Sequence, residues 1–527
     1  MSDKDHSSGA LVEYSIQLQH EYEWRTSVAS RKEKGQFFTP PEVCQFMASL
    51  FAGEFPQSFR LLDPGAGVGS LTAAVCDRVL AAAGHREIEL HVFENDPGVL
   101  PLLHQVIRRC CQSLRDAGHT ASYVVHEQDF ILDAASTVLG ERSLFDTADY
   151  GQFDAVIMNP PYFKLNKDSG YAQVMQEVVH GQPNIYAFFL AAGAELLRAE
   201  GRLVAITPRS FCNGLYFRGF RRWFSERMGL DHIHLFESRT DTFRGVLQES
   251  VVSLWHKLGH SAKTIAVSTS YGRNVLGSNV ERVLPAEAVI DNTAGDFVIR
   301  IAGSHEDSAV VRVVEAWPRR FADLDLRIST GPVVAFRARE FLLPEIDGPD
   351  TAPLLSVFNV RPFETRWPAT HKKQSNAFKV CPESKRLLLA SQNYVLLRRF
   401  SAKEERRRLT ASWFLGSESE WPFVAIENHL NYIYHAKREL TIDEVFGLAA
   451  FFNSALLDRY FRTISGNTQV NATEIRSMPM PDLDAISRIG QCVRNLAPFD
   501  LPVVEQLVLR ELGVARALED HLLDGAS

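Results

Sequence analysis

The 527-residue sequence has few cysteines and no CxxC pair, no long apolar run and no internal repeat. Its seven cysteines are an odd number without the spacing of zinc ligands, which argues for reduced thiols and against a metal site or a disulfide framework. The polar, acidic segment Met1 to Ala10 is unlike a signal peptide. The most apolar helical stretch, Tyr186 to Leu197, is too short to span a membrane and contains Glu195. We therefore expect a cytoplasmic protein with no membrane partner.

The sequence also lacks an overall excess of basic residues, since its net charge is −8. This is a mild argument against nucleic acid as a partner. The average hides one basic window: from Arg361 to Arg408, thirteen basic residues stand against four acidic ones, a balance of +9. A solvated helix face is one interpretation. The aromatic residues interleaved with the charges favour a nucleic-acid surface instead; they are Trp367, Phe378, Tyr394 and Trp413.

Length and composition predict an ordinary globular protein of two to four domains, with 45% hydrophobic and 23% charged residues. Beyond about residue 260 the pattern changes to short strands and more turns. We expect an α/β domain over 1–268, a second, mixed α/β domain over 269–484 and a closing helical segment over 485–527.

A β-α-β unit with a glycine-rich first turn begins at Arg60. The strand Arg60 to Leu62 leads into Asp63-Pro64-Gly65-Ala66-Gly67-Val68-Gly69, a helix follows, and the next strand ends at Glu94-Asn95-Asp96. An acid at the tip of the second strand is the arrangement that binds a ribose diol. The third glycine comes one residue earlier than in GxGxxG, and Asp63 would repel a pyrophosphate. Both features favour a nucleoside with an amino group and no phosphates, such as S-adenosylmethionine.

Two further segments fit the same ligand. Thr39-Pro40-Pro41 begins a helix that the Thr39 hydroxyl would cap, and a helix N-terminus suits a carboxylate. A third strand ends at Asp129-Phe130, where the acid can accept from an adenine amino group and the ring can flank the base. Taken separately, Thr39 could simply be a helix cap, Asp129 a surface acid and Phe130 a core ring.

The reaction centre is expected at the tetrad Asn159-Pro160-Pro161-Tyr162, which directly follows the buried strand Ala155 to Met158. An aromatic amine is a poor nucleophile because its lone pair is delocalised into the ring. Acceptors for both amino hydrogens, on the Asn159 side chain and the Pro160 carbonyl, would localise that lone pair. Tyr162 could stack on an extruded base. Phe243, inside the polar loop Ser238 to Glu249, could stack on the other face or fill the core.

Together these motifs resemble the gamma class of DNA adenine-N6 methyltransferases of bacterial type II restriction-modification systems. The resemblance is good to about residue 260 and looser over Trp413 to Pro481, which resembles the end of a target-recognition domain. It implies a Rossmann-like S-adenosylmethionine-dependent methyltransferase domain followed by a mixed α/β target-recognition domain. Double-stranded DNA would be the partner. A cognate restriction endonuclease would act on the same site without needing to bind.

The resemblance also assigns the site residues. The cofactor would be contacted by Thr39, Asp63, Gly65, Gly67, Glu94, Asn95, Asp129 and Phe130. The flipped adenine would be held by Asn159, Pro160, Tyr162 and Phe243. Candidate base readers of the second domain are Ser391 to Tyr394, Asn428-His429 and Gly466 to Asn471, which are equally typical of turns.

Several alternatives stay open on the residues alone. The Asn form of the tetrad also occurs in glutamine and guanine methyltransferases, so the substrate could be a protein glutamine or ribosomal RNA. A combined restriction-modification enzyme is disfavoured because about sixty residues before the glycine turn are too few for a nuclease domain. A DNA-binding subunit with a dead catalytic fold is disfavoured by the intact tetrad.

Overall fold

The computed structural model divides the chain into two compact units, Met1–Arg300 and Ile301–Ser527. Among the residues described in either unit, no helix is both long enough and apolar enough to cross a bilayer. The first unit extends past residue 268, where the sequence suggested a boundary. The residues that the structure describes are 9–27, 38–51, 55–139, 151–163, 170–171, 184–212, 217–236, 250–257, 263–270, 275, 280–292, 295, 297–300, 305–369, 375–401, 405–464, 469–496, 499–514 and 522.

The first unit alternates strands and helices, as the sequence predicted. Its helices are α1 (Ala10–Arg25), α2 (Pro41–Ser49), α3 (Ser70–Ala81), α4 (Leu100–Asp116), α5 (Phe130–Leu139), α6 (Ile185–Glu195), α7 (Arg218–Ser225) and α8 (Ala286–Val289). Its strands are β1 (Ser58–Pro64), β2 (Glu87–Phe93), β3 (Thr120–His126), β4 (Phe153–Met158), β5 (Leu197–Pro208), β6 (Met228–Phe236), β7 (Ser250–Lys257), β8 (Thr264–Ser270), β9 (Val280–Pro285), β10 (Ile290–Asp291) and β11 (Val298–Ile299).

A nine-stranded sheet in the order β3-β2-β1-β4-β5-β7-β6-β8-β9 forms the centre of this unit. The strands from β3 to β5 are parallel, and β7 runs antiparallel between β5 and β6. The strand order reverses between β1 and β4, which creates a crevice at their carboxyl ends where open α/β sheets bind ligands. The prediction of a Rossmann-like α/β fold is confirmed. The unit ends later than residue 268 because β8 pairs with β6, and β9 pairs with β8.

The central strands are apolar along their length because helices cover both faces of the sheet. Ala155 to Met158 in β4 are at most 2% exposed, and Leu61 and Leu62 in β1 at most 1%. Packed strands of this kind hold the residues that follow them in fixed positions. The carboxyl edge is therefore a rigid support for chemistry.

The second unit combines short strands with a helical bundle. Its helices are α9 (His305–Glu315), α10 (Ile442–Asn453), α11 (Ala455–Ile464), α12 (Ala472–Ser477), α13 (Leu483–Arg494) and α14 (Leu501–Glu511). Its strands are β12 (Leu326–Thr330), β13 (Leu342–Leu343), β14 (Thr351–Leu355), β15 (Val360–Arg361), β16 (Glu364–Thr365), β17 (Ala377–Lys379), β18 (Leu388–Ala390), β19 (Tyr394–Arg398), β20 (Ala411–Phe414), β21 (Phe423–Ile426) and β22 (Leu430–His435).

Two principal sheets organise these strands. One has the order β12-β22-β19-β20 and the other β13-β17-β14-β21-β18. The predicted helical end of the chain contains α13 and α14, and these pack in the same hydrophobic core as α10 and β19. The helical end therefore belongs to the core of this unit.

Two glycines allow α10 and α13 to pack at very short range. A Cβ atom at Gly490 would lie 1.7 Å from the Asp443 carbonyl oxygen, and one at Gly447 would lie 1.9 Å from that of Ile486. Because both obstacles are backbone atoms, Gly490→Ala must push the helices apart. We expect a loss of about 1–3 kcal/mol in the free energy of unfolding, measured by chemical denaturation.

Gln491→Ala is the matched control, since Gln491 is exposed on the same helix. It should change stability by less than about 0.5 kcal/mol. Equal denaturation midpoints for the two variants would contradict the close packing.

Candidate active site

A cavity of about 450 Å³ opens at the carboxyl ends of β1 to β4, at the point where the strand order reverses. Seven of the eight predicted cofactor residues line it, Asp63 being the exception, and so does Asn159. The lining consists of Phe38, Thr39, Gly65, Ala66, Gly67, Val68, Ser70, Leu71, Phe93, Glu94, Asn95, Asp96, Pro97, Gln128, Asp129, Phe130, Asn159, Pro161, Phe163, Tyr171, Ile185 and Phe189.

The turn after β1 can follow its path only because it contains glycine. Gly65 and Gly67 have φ angles of 72° and 56°, in the left-handed region that most residues avoid. A Cβ atom at Gly65 would lie 3.3 Å from the Phe189 ring, and one at Gly67 would lie 3.3 Å from the Phe38 ring. The glycines thus bring bare backbone to the cavity wall.

Glu94, at the end of β2, is tied to this turn by hydrogen bonds. Its carboxylate accepts from the Gly67 amide at 3.0 Å and from the Asn95 and Asp96 amides at 2.9 and 2.8 Å. Burial raises the pKa of Glu94, while the amide bonds oppose that rise. The carboxylate is held at the cavity wall, where it can accept from hydroxyl groups of a ligand.

Asp63 lies beneath the cavity wall and is fully buried. One carboxylate oxygen accepts from the Thr72 hydroxyl at 2.7 Å, and the other has no hydrogen-bond partner among the described residues. Burial raises the pKa of Asp63 to about 7. A buried carboxylate with one unsatisfied oxygen beside an open cavity fits a cationic ligand group.

The raised pKa of Asp63 predicts a pH dependence of stability. Because the folded-state pKa lies near 7 and the ordinary value near 3.8, the stability present below pH 3.8 is lost as the pH rises through about 7. Asp63→Asn removes this loss. Between pH 5 and pH 8 the wild-type free energy of unfolding should fall by about 2–3 kcal/mol more than that of the variant.

Chemical denaturation of the two unliganded proteins at both pH values measures this difference. Titrating groups that do not interact with Asp63 are common to both proteins and cancel. Parallel pH profiles would show that Asp63 keeps an ordinary pKa.

Asp129 performs a structural task in addition to facing the cavity. One of its oxygens accepts from the Ile131 and Leu132 amides at the start of α5, at 3.0 and 3.1 Å. The other accepts from the Tyr171 hydroxyl at 2.7 Å and from the Asn95 side chain at 3.4 Å. Tyr171 is a cavity residue that sequence reasoning missed, since the stretch around it has no periodicity or motif.

Phe130 forms part of the apolar wall of the cavity. It is 3% exposed. Its ring packs edge-on against Phe93 at 5.1 Å and lies 5.3 Å from Phe189. A planar ligand would therefore meet a fixed aromatic surface here.

Asn159 has its amide group fixed by two hydrogen bonds. Its nitrogen donates to the Thr39 hydroxyl at 3.0 Å, and its oxygen accepts from the Tyr162 hydroxyl at 2.8 Å. The Tyr162 hydroxyl also lies 3.1 Å from the Ile206 carbonyl oxygen. In this arrangement Oδ1 is the acceptor end of the amide.

The interpretation of Thr39 as a helix cap is wrong. Pro40 occupies the N-cap of α2, and Pro41 is the first helical residue. Because proline favours the first helical position, the helix starts one residue too late for the Thr39 hydroxyl to cap it. That hydroxyl instead joins the start of α2 to the Asn159 tetrad.

Tyr162 packs edge-on against Tyr186, with ring centroids 6.4 Å apart. Burial raises the pKa of the Tyr162 phenol well above its usual range, so the hydroxyl stays protonated. Neither Pro160 nor Tyr162 lines the cavity, although both follow β4 directly. Phe243 lies outside the described residues, so its stacking role stays a prediction.

Comparison with known proteins identifies relatives along nearly the whole chain. Residues 108–243 match the Eco57I restriction-modification methylase family. Type II methyltransferase M.BsuBI of Bacillus subtilis is 33% identical over 498 residues, covering 92% of this chain and 96% of that protein. Type II methyltransferase M.PstI of Providencia stuartii is 31% identical over 485 residues, covering 92% and 93%.

A solved structure shares the fold at much lower identity. The type IIL restriction-modification enzyme MmeI, determined in complex with DNA, aligns with a TM-score of 0.51 and 10% identity over 98% of this chain and 74% of that one. The family resemblance that was inferred from the Asn159 tetrad and the glycine turn is confirmed by these sequence relatives. The chain belongs to the type II methyltransferases of restriction-modification systems.

Proposed function

We propose that this protein is a sequence-specific DNA methyltransferase that transfers a methyl group from S-adenosylmethionine to N6 of an adenine flipped out of the duplex. The observation that carries the proposal is the fixed amide of Asn159. It is held by Thr39 and Tyr162 at the edge of a nucleoside-sized cavity.

The cavity fits S-adenosylmethionine on several independent grounds. Glu94 offers a carboxylate for a ribose diol, and Asp129 with Phe130 offers an acceptor and an aromatic wall for an adenine. The unsatisfied oxygen of Asp63 suits a cationic group. When bound, S-adenosylmethionine supplies the electrophilic methyl group.

The tetrad then activates the nucleophile, which is the amino nitrogen of the target adenine. Asn159 Oδ1 accepts one hydrogen of the target amino group, and the Pro160 carbonyl accepts the other. The two acceptors favour tetrahedral geometry at nitrogen, which localises the lone pair. Because the amide is already oriented and the prolines restrict the backbone, little reorganisation is needed.

The tetrad provides no general base. Asn159 is neutral, and the Tyr162 phenol stays protonated because burial raises its pKa. The proton is therefore lost to water after the nitrogen has become cationic, when it is strongly acidic. The main contributions of the tetrad are position and hydrogen-bond acceptance.

The relatives support a biological context for this activity. This chain spans 96% of M.BsuBI, which is named as a methyltransferase. We infer that it protects host DNA, and that a cognate restriction endonuclease cuts the same site when unmethylated. The pairing is functional, so the two proteins need not bind each other.

The test is to incubate the purified full chain with labelled S-adenosylmethionine and mixed genomic DNA that lacks methylated bases. Nucleoside analysis then identifies the modified base, and single-molecule sequencing identifies the motif. We expect N6-methyladenine at one short sequence. Transfer to cytosine would overturn the target base, and label found only in added RNA or protein would overturn DNA as the substrate.

A further inference from the structure

Five segments of the second unit meet where several strands of its two main sheets end. The loop after β12 is anchored to the turn between β21 and β22: the Val333 amide donates to the Ile426 carbonyl at 3.1 Å, and the Asn428 amide donates to the Val333 carbonyl at 2.8 Å. A Cβ atom at Gly331 would lie 2.2 Å from the Glu427 carbonyl oxygen, so this loop sits directly against the turn.

The segment after β14 is anchored on the other side of the same turn. The Glu427 amide donates to the Leu355 carbonyl at 2.9 Å. A short 3-10 turn over Val357–Asn359 follows at once. The Arg398 guanidinium then donates to the Val360 carbonyl at 2.5 and 2.9 Å, joining this segment to the end of β19.

The end of β19 brings in the remaining two segments. The Arg399 amide donates to the His429 carbonyl at 2.9 Å, and the Val470 amide donates to the Arg399 carbonyl at 2.7 Å. Phe400 forms a β-bridge with Gln469. Two of the candidate base-reading motifs, Asn428-His429 and the one containing Gln469, are thus brought together.

The third candidate motif lies elsewhere and is structural. Asn393, just before β19, is buried. Its side chain donates to the Leu440 carbonyl at 2.8 Å and accepts from the Gly416 amide at 3.0 Å. Both ends of this buried amide are engaged in holding the fold.

Where these segments meet, three phenylalanines are exposed to solvent. Large apolar side chains usually avoid such positions, and a group of them marks an interaction surface. Their exposed fractions are 71% for Phe336, 46% for Phe358 and 39% for Phe400. The Phe400 ring also packs edge-on against His429 at 5.3 Å. Each of the three phenylalanines belongs to a different one of the anchored segments.

Arginines accompany these rings. Arg337 lies over the Phe336 ring at 5.3 Å, and Arg399 lies over the Phe400 ring at 5.5 Å. Arg339 and Arg361 are exposed in the same segments. Acidic residues in these segments include Glu340, which is exposed, Glu364, which pairs across strands with Arg361 and accepts from the Arg366 side chain, and Glu427, which is buried and lies 3.3 Å from His429. We call Phe336, Phe358, Phe400, Arg337, Arg339 and Arg361 the recognition face.

We propose that the recognition face binds duplex DNA, with the arginines on phosphates and the phenylalanines against bases. Phosphate contacts from arginine give affinity and position, and apolar side chains contact thymine methyl groups or open base steps. The inference rests on the proposed function and names the part of the second unit that performs its recognition step.

Charge argues for DNA over a second copy of the chain. In a two-fold dimer the same surface faces itself, so the arginines of one copy would meet those of the other. A polyanion has the complementary charge, and the bases beneath its phosphates suit exposed aromatic rings.

The experiment compares the full-length wild type with Phe336→Ala and with the double variant Arg337→Ala, Arg339→Ala. The controls are Leu501→Ala and Arg488→Ala, exposed residues on α14 and α13, which contribute nothing to the recognition face. Binding is measured at several salt concentrations on a short duplex with the methylated motif and on one without it. The KM for DNA and kcat are measured in parallel.

The arginine variant should bind both duplexes about tenfold more weakly. The slope of log affinity against log salt concentration should decrease by the amount expected for the loss of about two phosphate contacts. Phe336→Ala should weaken binding to the motif duplex by about tenfold and affect the other duplex less. Affinity for S-adenosylmethionine should stay unchanged in both, which shows that the first unit is intact.

Wild-type binding and KM in both variants would overturn the recognition face while leaving the proposed function in place. If the wild-type chain methylates no DNA, the proposed function fails separately. In that case, a comparison of how tightly the wild type and the variants bind a mixed-sequence duplex tests the recognition face by itself. A concentration-dependent dimer that these substitutions abolish, without an effect on DNA binding, would assign the face to self-association.

Discussion

Asn159→Ala is expected to reduce methyl transfer by about 100- to 1,000-fold, the loss typical of removing one preorganised hydrogen-bonding group from a transition state. The side chain lies at the carboxyl end of β4, and its amide is oriented by Thr39 and Tyr162. Alanine removes the acceptor for the target amino group and leaves the strand intact. The measurement is single-turnover methylation of the motif duplex, with S-adenosylmethionine affinity measured separately.

Two companion variants distinguish the role of the acceptor from that of its orientation. Asn159→Asp keeps an acceptor oxygen but loses the hydrogen bond donated to Thr39, so it should retain part of the activity. Thr39→Val removes the same bond from the other side and should lower kcat by about tenfold. Full activity in Asn159→Ala would show that the tetrad is not the reaction centre.

Glu94→Ala is expected to weaken S-adenosylmethionine binding by about 10- to 150-fold, because a hydrogen bond to a charged group contributes about 1.5–3 kcal/mol. In the structure this carboxylate accepts from the Gly67, Asn95 and Asp96 amides. Its loss removes a ligand contact and also releases the glycine turn. Isothermal titration calorimetry measures the affinity directly.

Glu87→Ala is the matched control, since Glu87 is exposed at the opposite end of β2. It should bind the cofactor like the wild type. Kinetics give a second criterion: at saturating cofactor, Glu94→Ala should recover most of its kcat, whereas Asn159→Ala should not. Equal cofactor affinity in the Glu94 and Glu87 variants would remove Glu94 from the site.

The elements of the first unit could be predicted because their signals are local. The apolar run of β4 ends at Asn159, and glycines or acids follow β1, β2 and β3. Since parallel strands align their carboxyl ends, residues almost a hundred positions apart were expected at one edge. The cavity formed by Gly65, Glu94, Asp129 and Asn159 has that arrangement.

Other features depend on distances that no pattern in the sequence reports. The role of Thr39 changed because the helix after it starts at Pro41, which leaves its hydroxyl to accept from Asn159. Tyr171 reaches Asp129 from a stretch with no motif. The first unit continues to Arg300 because β8 and β9 add to its sheet, although they have the short-strand pattern of the second half.

The sequence by itself determined the type of fold and the family, because strand-end motifs and the tetrad are short and contiguous. Only the tertiary structure decided how Asn159 is oriented, why Asp63 has a raised pKa and which scattered residues form the recognition face. Orientation, burial and exposure arise from contacts between segments distant along the chain. In the second unit, the short strands that create those contacts are placed by long-range pairing.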